Sequence, residues 1–109
     1  MNNPYKAVSI FRVEYQHIND ETGEKHVSMI IIGFSRSGIA RAFDGFSDRI
    51  IGKAGGYGYD KEGAALADAL ENEYGISPFN GAAGVSAVIE HAKEEGVYVK
   101  TLSELIWNC

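Results

Sequence analysis

The first third of the chain alternates apolar and polar residues with the period of a β-strand. Within residues 6–18, four side chains share one face: Phe11, Val13, Tyr15 and His17. The β-branched run at 26–34 predicts a second strand. The polar stretch between them contains Gly23, which suits a left-handed turn position. The pattern therefore predicts an antiparallel β-hairpin.

A three-residue loop at 21–23 would set the register of this hairpin, because it pairs Asp20 with Glu24. Counting back from that pair gives the expected neighbours Tyr15–Met29, Val13–Ile31, Phe11–Gly33, Arg12–Ile32 and Glu14–Ile30. A shift by one residue would set apolar against polar faces, so pattern and turn agree on this register.

The middle of the chain is rich in glycine and predicts two further short strands, at 39–43 and 49–54. Asp44 and Gly45 form a turn signal between them.

The second half has a helical pattern. Asp60 is a plausible N-cap, and in the alanine-rich run 61–74 the residues Leu66, Leu70 and Tyr74 recur at every fourth position. Gly75 fits the end of this helix. Small side chains along it, such as Ala65, predict a close approach either to the second helix or to the sheet.

A second helix is predicted to open at Ser77-Pro78, with Asn80 as an alternative cap, and to stop at Gly96. Its apolar stripe consists of Val85, Val88, Ile89 and Ala92. Residues 97–100 predict a short strand. The capping-box pattern at 101–104 predicts a terminal helix carrying Leu105, Ile106 and Trp107.

Most predicted strands precede the helices, which favours an α+β fold over a doubly wound α/β fold. We expect one domain, 1–109, in which an N-terminal antiparallel hairpin, extended by short strands, packs against two to three C-terminal helices. The length of 109 residues with 45% hydrophobic residues is enough for one modest core.

Cysteine and charge narrow the function classes. The one cysteine, Cys109, excludes an intrachain disulfide and a cysteine-built zinc site. The net charge of -5 argues against a general nucleic-acid coat. No long apolar run predicts a signal peptide or a membrane span, so we expect a cytoplasmic protein without a membrane partner.

The charge is uneven along the chain. Residues 34–61 carry five basic and three acidic side chains, whereas residues 62–109 carry two basic and eight acidic ones. The basic middle suits nucleic acid, and the acidic half suits a basic partner. Ordinary solvated surfaces are the alternative for both.

The loop at 52–60 is the most distinctive segment, because glycines there surround Tyr57 and Tyr59 and lead into a helix. Such a loop can present main-chain N–H groups to an anion, although it has neither the P-loop nor the dinucleotide spacing. It can also be a purely structural connection. As a protein-binding surface, the loop would act together with exposed acids such as Glu71, Glu73, Glu94 and Glu95. The predicted partner-binding residues also include the cations Lys53, Arg36, Arg41 and Arg49.

Candidate catalytic groups are sparse. His17 and His26 flank the predicted hairpin without a third metal ligand, His91 fits a helix surface, and the carboxylates show no acid–base pair. We therefore expect no enzyme activity, no catalytic or metal-binding residue and no cofactor.

The segment 53–70, KAGGYGYDKEGAALADAL, resembles segments of small accessory proteins of phages and integrated mobile elements. The resemblance covers a minority of the chain. It implies an inhibitor that binds a host protein, including a host defence factor.

These observations favour a non-catalytic protein-binding accessory protein that occupies a surface of a host partner. The alternative is a nucleic-acid binder in which Arg36, Arg41, Arg49 and Lys53 contact phosphate and the two tyrosines stack on bases. A homodimer formed through an edge strand of the sheet is also compatible with the sequence.

Overall fold

The computed structural model describes residues 6–16, 25–54, 61–79 and 84–104. Its elements in chain order are β1 (Lys6–Gln16), β2 (Lys25–Phe34), β3 (Ala40–Asp44), β4 (Ile50–Lys53), α1 (Glu62–Tyr74), α2 (Val85–Glu94) and β5 (Val97–Glu104). The fold is α+β, as predicted, and the strands β3 and β4 lie where the sequence placed them.

The five strands form one antiparallel sheet in the order β4-β3-β2-β1-β5. The last strand crosses back after both helices and pairs with β1. Its residues 101–104 are therefore strand, and the terminal helix predicted to start there is wrong for these positions. Pairing with β1 outweighed the local capping pattern. Residues 105–107 lie outside the described part of the chain.

The hairpin β1–β2 is confirmed, but its predicted register is wrong. Phe11 pairs with Ile30, Val13 with Ser28 and Tyr15 with His26. The apolar residues of β2 are nearly continuous, so they supply an apolar set to either face and do not decide the register. The prediction rested on a turn at 21–23, which lies outside the described residues.

One face of the sheet packs against the two helices. Phe11 and Val13 of β1 and Ile30 and Ile32 of β2 are fully buried there, together with Leu66 and Leu70 of α1. Each such burial contributes about 1.5–3 kcal/mol. The hydroxyl of Ser9, also buried on this face, donates a hydrogen bond to the carboxylate of Glu62 and joins β1 to the start of α1.

Small residues bring α1 close to β4. A Cβ atom on Gly52 would lie 2.6 Å from the carbonyl oxygen of Ala65 and 2.6 Å from the amide nitrogen of Ala69. A side chain at this position would therefore push the helix away from the strand. The close approach that the small residues predicted is present, and α1 ends at Gly75 with φ of 69°.

The predicted start of the second helix is wrong. The helix α2 begins at Val85, after Gly84, whereas Ser77 and Pro78 are not helical. The backbone N–H of Ser77 donates to Glu95 Oε1 at 3.0 Å. Eighteen residues of one helix would span about 27 Å, so Ser77 cannot meet Glu95 from inside the same helix. Asn80 lies outside the described residues, as does Asp60, and Gly96 ends the helix as predicted.

Candidate interaction surface

The predicted tyrosine loop lies outside the part of the chain that the structure describes. This applies to Tyr57 and Tyr59, so their role stays a prediction. The described part of the glycine-rich segment, Gly52 and Lys53, belongs to β4 and is followed by Ala54, which is buried.

Two of the predicted cations are brought together by the sheet. Arg41 of β3 pairs directly with Lys53 of β4 and both lie on the face opposite the helices. The Nη1 atom of Arg41 donates to the carbonyl of Ala40 at 2.9 Å, and Lys53 is exposed.

The other charged residues predicted to bind a partner lie in different parts of the structure. Arg49 Nη2 lies 2.6 Å from Glu73 Oε1, so a cation of the basic middle is paired with an acid of α1. An exposed pair of this kind contributes about 0–1 kcal/mol. Arg36 is exposed in the turn after β2, and Glu71 is exposed on α1. The four cations named for the nucleic-acid alternative are thus divided among a face, a turn and an ion pair.

We call the side of the sheet opposite α1 and α2 the outer face. Cross-strand pairs share a face, so the registers assign its residues in rows across the strands. The described residues of these rows are Tyr98–Glu14–Val27, Lys100–Arg12–Met29, Ile10–Ile31–Phe43–Ile50 and Gly33–Arg41–Lys53. Lys25, at the start of β2, lies on the same face.

The charged side chains among the described residues of the outer face are mainly basic. Five are cationic and one is a carboxylate: Arg12, Lys25, Arg41, Lys53, Lys100 and Glu14. Glu14 Oε1 lies 3.1 Å from Lys25 Nζ, and Glu14 Oε2 lies 2.7 Å from Arg12 Nη1. Hydrogen bonds from Lys25 and Arg12 lower the pKa of the Glu14 carboxyl group, so it stays ionised.

Apolar side chains lie exposed among these charges. Val27 is 50% exposed, Ile50 43% and Tyr98 55%. Phe43, the direct partner of Ile50 in β3, is only 2% exposed, and the turn after β3 exposes Phe46. Exposed apolar groups bordered by charge are typical of surfaces that bind a macromolecule.

His91 belongs to a cluster that holds the segment before α2. Its ring stacks on Phe79 with centroids 4.6 Å apart, and its Nε2 lies 2.9 Å from the carbonyl oxygen of Ser77. The same nitrogen lies 3.0 Å from Glu95 Oε2. Backbone and side-chain hydrogen bonds from Ser77 lower the pKa of Glu95. The Ser77 hydroxyl donates to the carboxylate and not to the imidazole, so the cluster positions the chain and does not prepare a serine nucleophile.

His26 lies in an aromatic cluster at the hairpin end of the core face. Its ring stacks on Tyr15 with centroids 5.4 Å apart, and Tyr15 meets Tyr74 edge to face at 4.8 Å. Burial raises the pKa of Tyr74. These contacts are packing between β1, β2 and the end of α1, and His17 lies outside the described residues.

Within the described ranges, no three or more His, Cys, Asp or Glu residues are grouped to hold a metal ion. Over the same ranges, the helices are too short or too polar for a membrane crossing.

Comparison of the chain with protein-family models, with curated proteins and with solved structures gives no match.

Val27, Tyr98 and Lys100 were not predicted from the sequence as surface residues. A signal for two of them was present, because Tyr98 and Lys100 alternate with Val97 and Val99. Their shared face with Val27 depends on the register of three strands, which the sequence pattern did not supply.

Proposed function

We propose that the chain is a non-catalytic binding protein that occupies a surface of a larger protein through its outer face. The observation that carries the proposal is the exposure of Val27 and Ile50 on a sheet whose other face is covered by α1 and α2. The backbone of paired strands is already ordered and loses little freedom on binding, which favours such a face as a contact surface.

The charge distribution supports a protein partner with an acidic rim. Arg41 and Lys53 lie beside Ile50, whereas Lys25 and Arg12 lie beside Val27. Interfaces of this type combine an apolar centre with charges that orient the partner. The resemblance of segment 53–70 to accessory proteins of phages and mobile elements makes a host protein, including a defence factor in the cytoplasm, the proposed partner. Inhibition would follow from covering that partner's working surface.

The test is affinity capture from host lysate with tagged chains, followed by mass spectrometry. One variant combines Val27→Asp with Ile50→Asp. The matched control, Lys93→Asp on α2, changes the net charge by the same amount but lies on the helical side. Circular dichroism and thermal melting establish that both variants fold.

We expect the double variant to capture at least about tenfold less of the partner, because charges at a desolvated contact are costly. The control should keep it. A partner that the double variant retains, and that a Tyr57→Ala, Tyr59→Ala variant loses, would place the binding surface on the loop and contradict the role of the outer face.

A second candidate is single-stranded nucleic acid, favoured by the adjacent cations Arg41 and Lys53 on the outer face. The pairing of Arg49 with Glu73 removes one predicted phosphate contact and makes this the weaker candidate.

Fluorescence anisotropy with a labelled oligo(dT) strand tests this candidate between about 50 mM and 200 mM salt. Loss of two phosphate contacts in an Arg41→Ala, Lys53→Ala variant should reduce the salt slope by about 1.4. Lys93→Asp, which lowers the net charge by the same amount, is the matched control. Absence of binding by the unmodified chain at low salt would remove the nucleic-acid function.

A further inference from the structure

The two edges of the sheet are treated differently by the rest of the chain. An edge strand presents unpaired main-chain N–H and C=O groups, which favour pairing with another strand unless they are covered. The edges here are β4 and β5.

The β4 edge is closed by side chains of α1. The backbone N–H of Lys53 donates to Asp68 Oδ2 at 2.7 Å, and Asn72 Nδ2 donates to the carbonyl of Ile51 at 3.0 Å. Asp68 and Asn72 thus take the positions that a neighbouring strand would occupy. The strand is also short, at four residues.

The β5 edge has no such cover among the described residues. This strand is eight residues long, and its hydrogen-bonded neighbour is β1. Val97 and Val99 are buried under α2, which anchors the strand, whereas Tyr98, Lys100 and Leu102 are exposed. The strand is therefore held in place by α2, and none of the described residues pairs with the main-chain groups of its outer edge.

We infer that two copies of this chain pair through β5, antiparallel, about a two-fold axis at Val99. The register between β5 and β1 shifts at Leu102, so the regular part of the strand runs from residue 97 to residue 101. Val99 is the midpoint of that part.

This register makes the strand complementary to itself. With Val99 at the centre, Tyr98 of each copy lies directly opposite Lys100 of the other, which gives two contacts between a cation and an aromatic ring. Centring the pair on Lys100 would instead bring two ammonium groups together. Self-complementarity favours a second copy over an unrelated strand as the occupant.

Pairing of this kind joins the two sheets with the same face on the same side, so the two outer faces form one surface. Two binding surfaces in one particle increase avidity for a partner that presents repeated sites. The inference goes beyond the proposed function, because a monomer could still bind through one outer face.

The first experiment measures mass by sedimentation over a range of concentrations. We expect a reversible dimer. Tyr98→Lys places two lysines opposite each other at both contacts and should weaken the dimer at least about tenfold. Adding Lys100→Glu to that variant restores opposite charges and should restore the dimer. Both positions are exposed, and thermal melting establishes folding.

The second experiment tests the register by cross-linking in a Cys109→Ser background. Directly opposite residues of an antiparallel pair lie about 4.5–5.5 Å apart at Cα, within disulfide range. A mixture of Tyr98→Cys chains and Lys100→Cys chains should form disulfide-linked dimers on mild oxidation. Either variant alone should not, because its two cysteines would lie about 8 Å apart.

A chain that is monomeric at every concentration would overturn the inference. So would a dimer that Tyr98→Lys does not weaken and that the mixture of Tyr98→Cys and Lys100→Cys chains does not cross-link. A monomer from which Tyr98→Lys removes a captured host protein would also overturn it, because Tyr98 would then act in the contact with that protein and not in a dimer. Loss of capture in the outer-face variant, measured separately, shows whether the proposed function stands.

Discussion

The two ends of the sheet are built from similar parts used in different ways. At the β4 end, α1 buries Leu66 and Leu70, and at the β5 end, α2 buries the smaller Val88 and Ala92. Two polar residues four positions apart lie on α1, and a second pair with the same spacing lies at the C-terminal end of α2. Asp68 and Asn72 of α1 cover the edge of β4, which leaves that end closed.

At the C-terminal end of α2 the corresponding pair, His91 and the capping residue Glu95, contacts the chain segment before the helix and not the strand. Both residues contact Ser77, which holds the segment between the helices. The β5 edge is left without a cover among the described residues. The comparison shows that a helix can stabilise a sheet on its face without protecting its edge, and that the pairing of polar side chains decides the difference.

Truncating a core side chain should produce the largest difference in the free energy of unfolding between the two ends of the sheet. Leu70→Ala in α1 removes a fully buried side chain and should lower the free energy of unfolding by about 2–5 kcal/mol. Val88→Ala in α2 removes two carbon atoms and should cost about 2 kcal/mol. Urea unfolding measures both. Equal losses at the two positions would contradict the view that α1 carries more of the core.

Two glycines distinguish close packing from backbone conformation. Gly52→Ala sets a methyl group against backbone atoms of α1 and should cost about 3 kcal/mol. Gly96→Ala, between α2 and β5, has open space but a φ of 86°, so we expect about 1–2 kcal/mol from backbone strain alone. Chemical unfolding of the two variants gives the comparison, and a mild effect at Gly52 would show that α1 can move away from β4.

Opening the closed edge should have a smaller effect. Asn72→Ser removes the donor to the carbonyl of Ile51 with little change in helix propensity, so we expect a loss of about 1 kcal/mol. The neighbouring Glu71→Ser, which is exposed, should stay within about 0.5 kcal/mol. Association beyond a dimer in an Asp68→Ser, Asn72→Ser variant, seen by light scattering, would show that these side chains protect the edge. Unchanged stability and association would contradict that role.

The smallest effect concerns pH at the β5 end. Hydrogen bonds from the Ser77 backbone and side chain lower the pKa of Glu95 below its ordinary value of 4.5. The folded pKa is then lower than the unfolded one, so the carboxylate stabilises the fold above its ordinary pKa and this contribution is lost as the pH falls through the folded pKa.

The melting temperature of Glu95→Gln should lie below that of the unmodified chain near neutral pH, and the gap should narrow as the pH falls below 4.5. Glu94→Gln serves as the control at a neighbouring exposed carboxylate. A gap that is constant across the acid range would mean that Glu95 acts through packing and not through its charge.

Local patterns were informative wherever neighbours in sequence carry the signal. The alternation in β1, the helical spacing of Leu66 and Leu70, and the helix end at Gly75 were all predicted from short windows of sequence. The start of α2 was missed because Ser77 and Pro78 resemble a helix start locally, whereas Ser77 makes its contacts with His91 and Glu95 at the other end of that helix.

The candidate surface was harder to predict. Arg41 and Lys53 were named from the sequence, but their position side by side follows from the pairing of β3 with β4. Arg49 was expected on the same surface, and an acid twenty-four positions later on α1 draws it away. Tyr98 and Val27 share a face through β1, which pairs with both of their strands.

The sequence alone determined the fold class, the hairpin, the presence of both helices and the positions of β3 and β4, because period, glycine and helix-favouring residues act over a few neighbours. Only the tertiary structure decided the register of the hairpin, the return of the last strand to β1, and which edge is covered. Those outcomes depend on contacts between distant residues, whose free energies are set by burial and by hydrogen bonds that no short window of sequence contains.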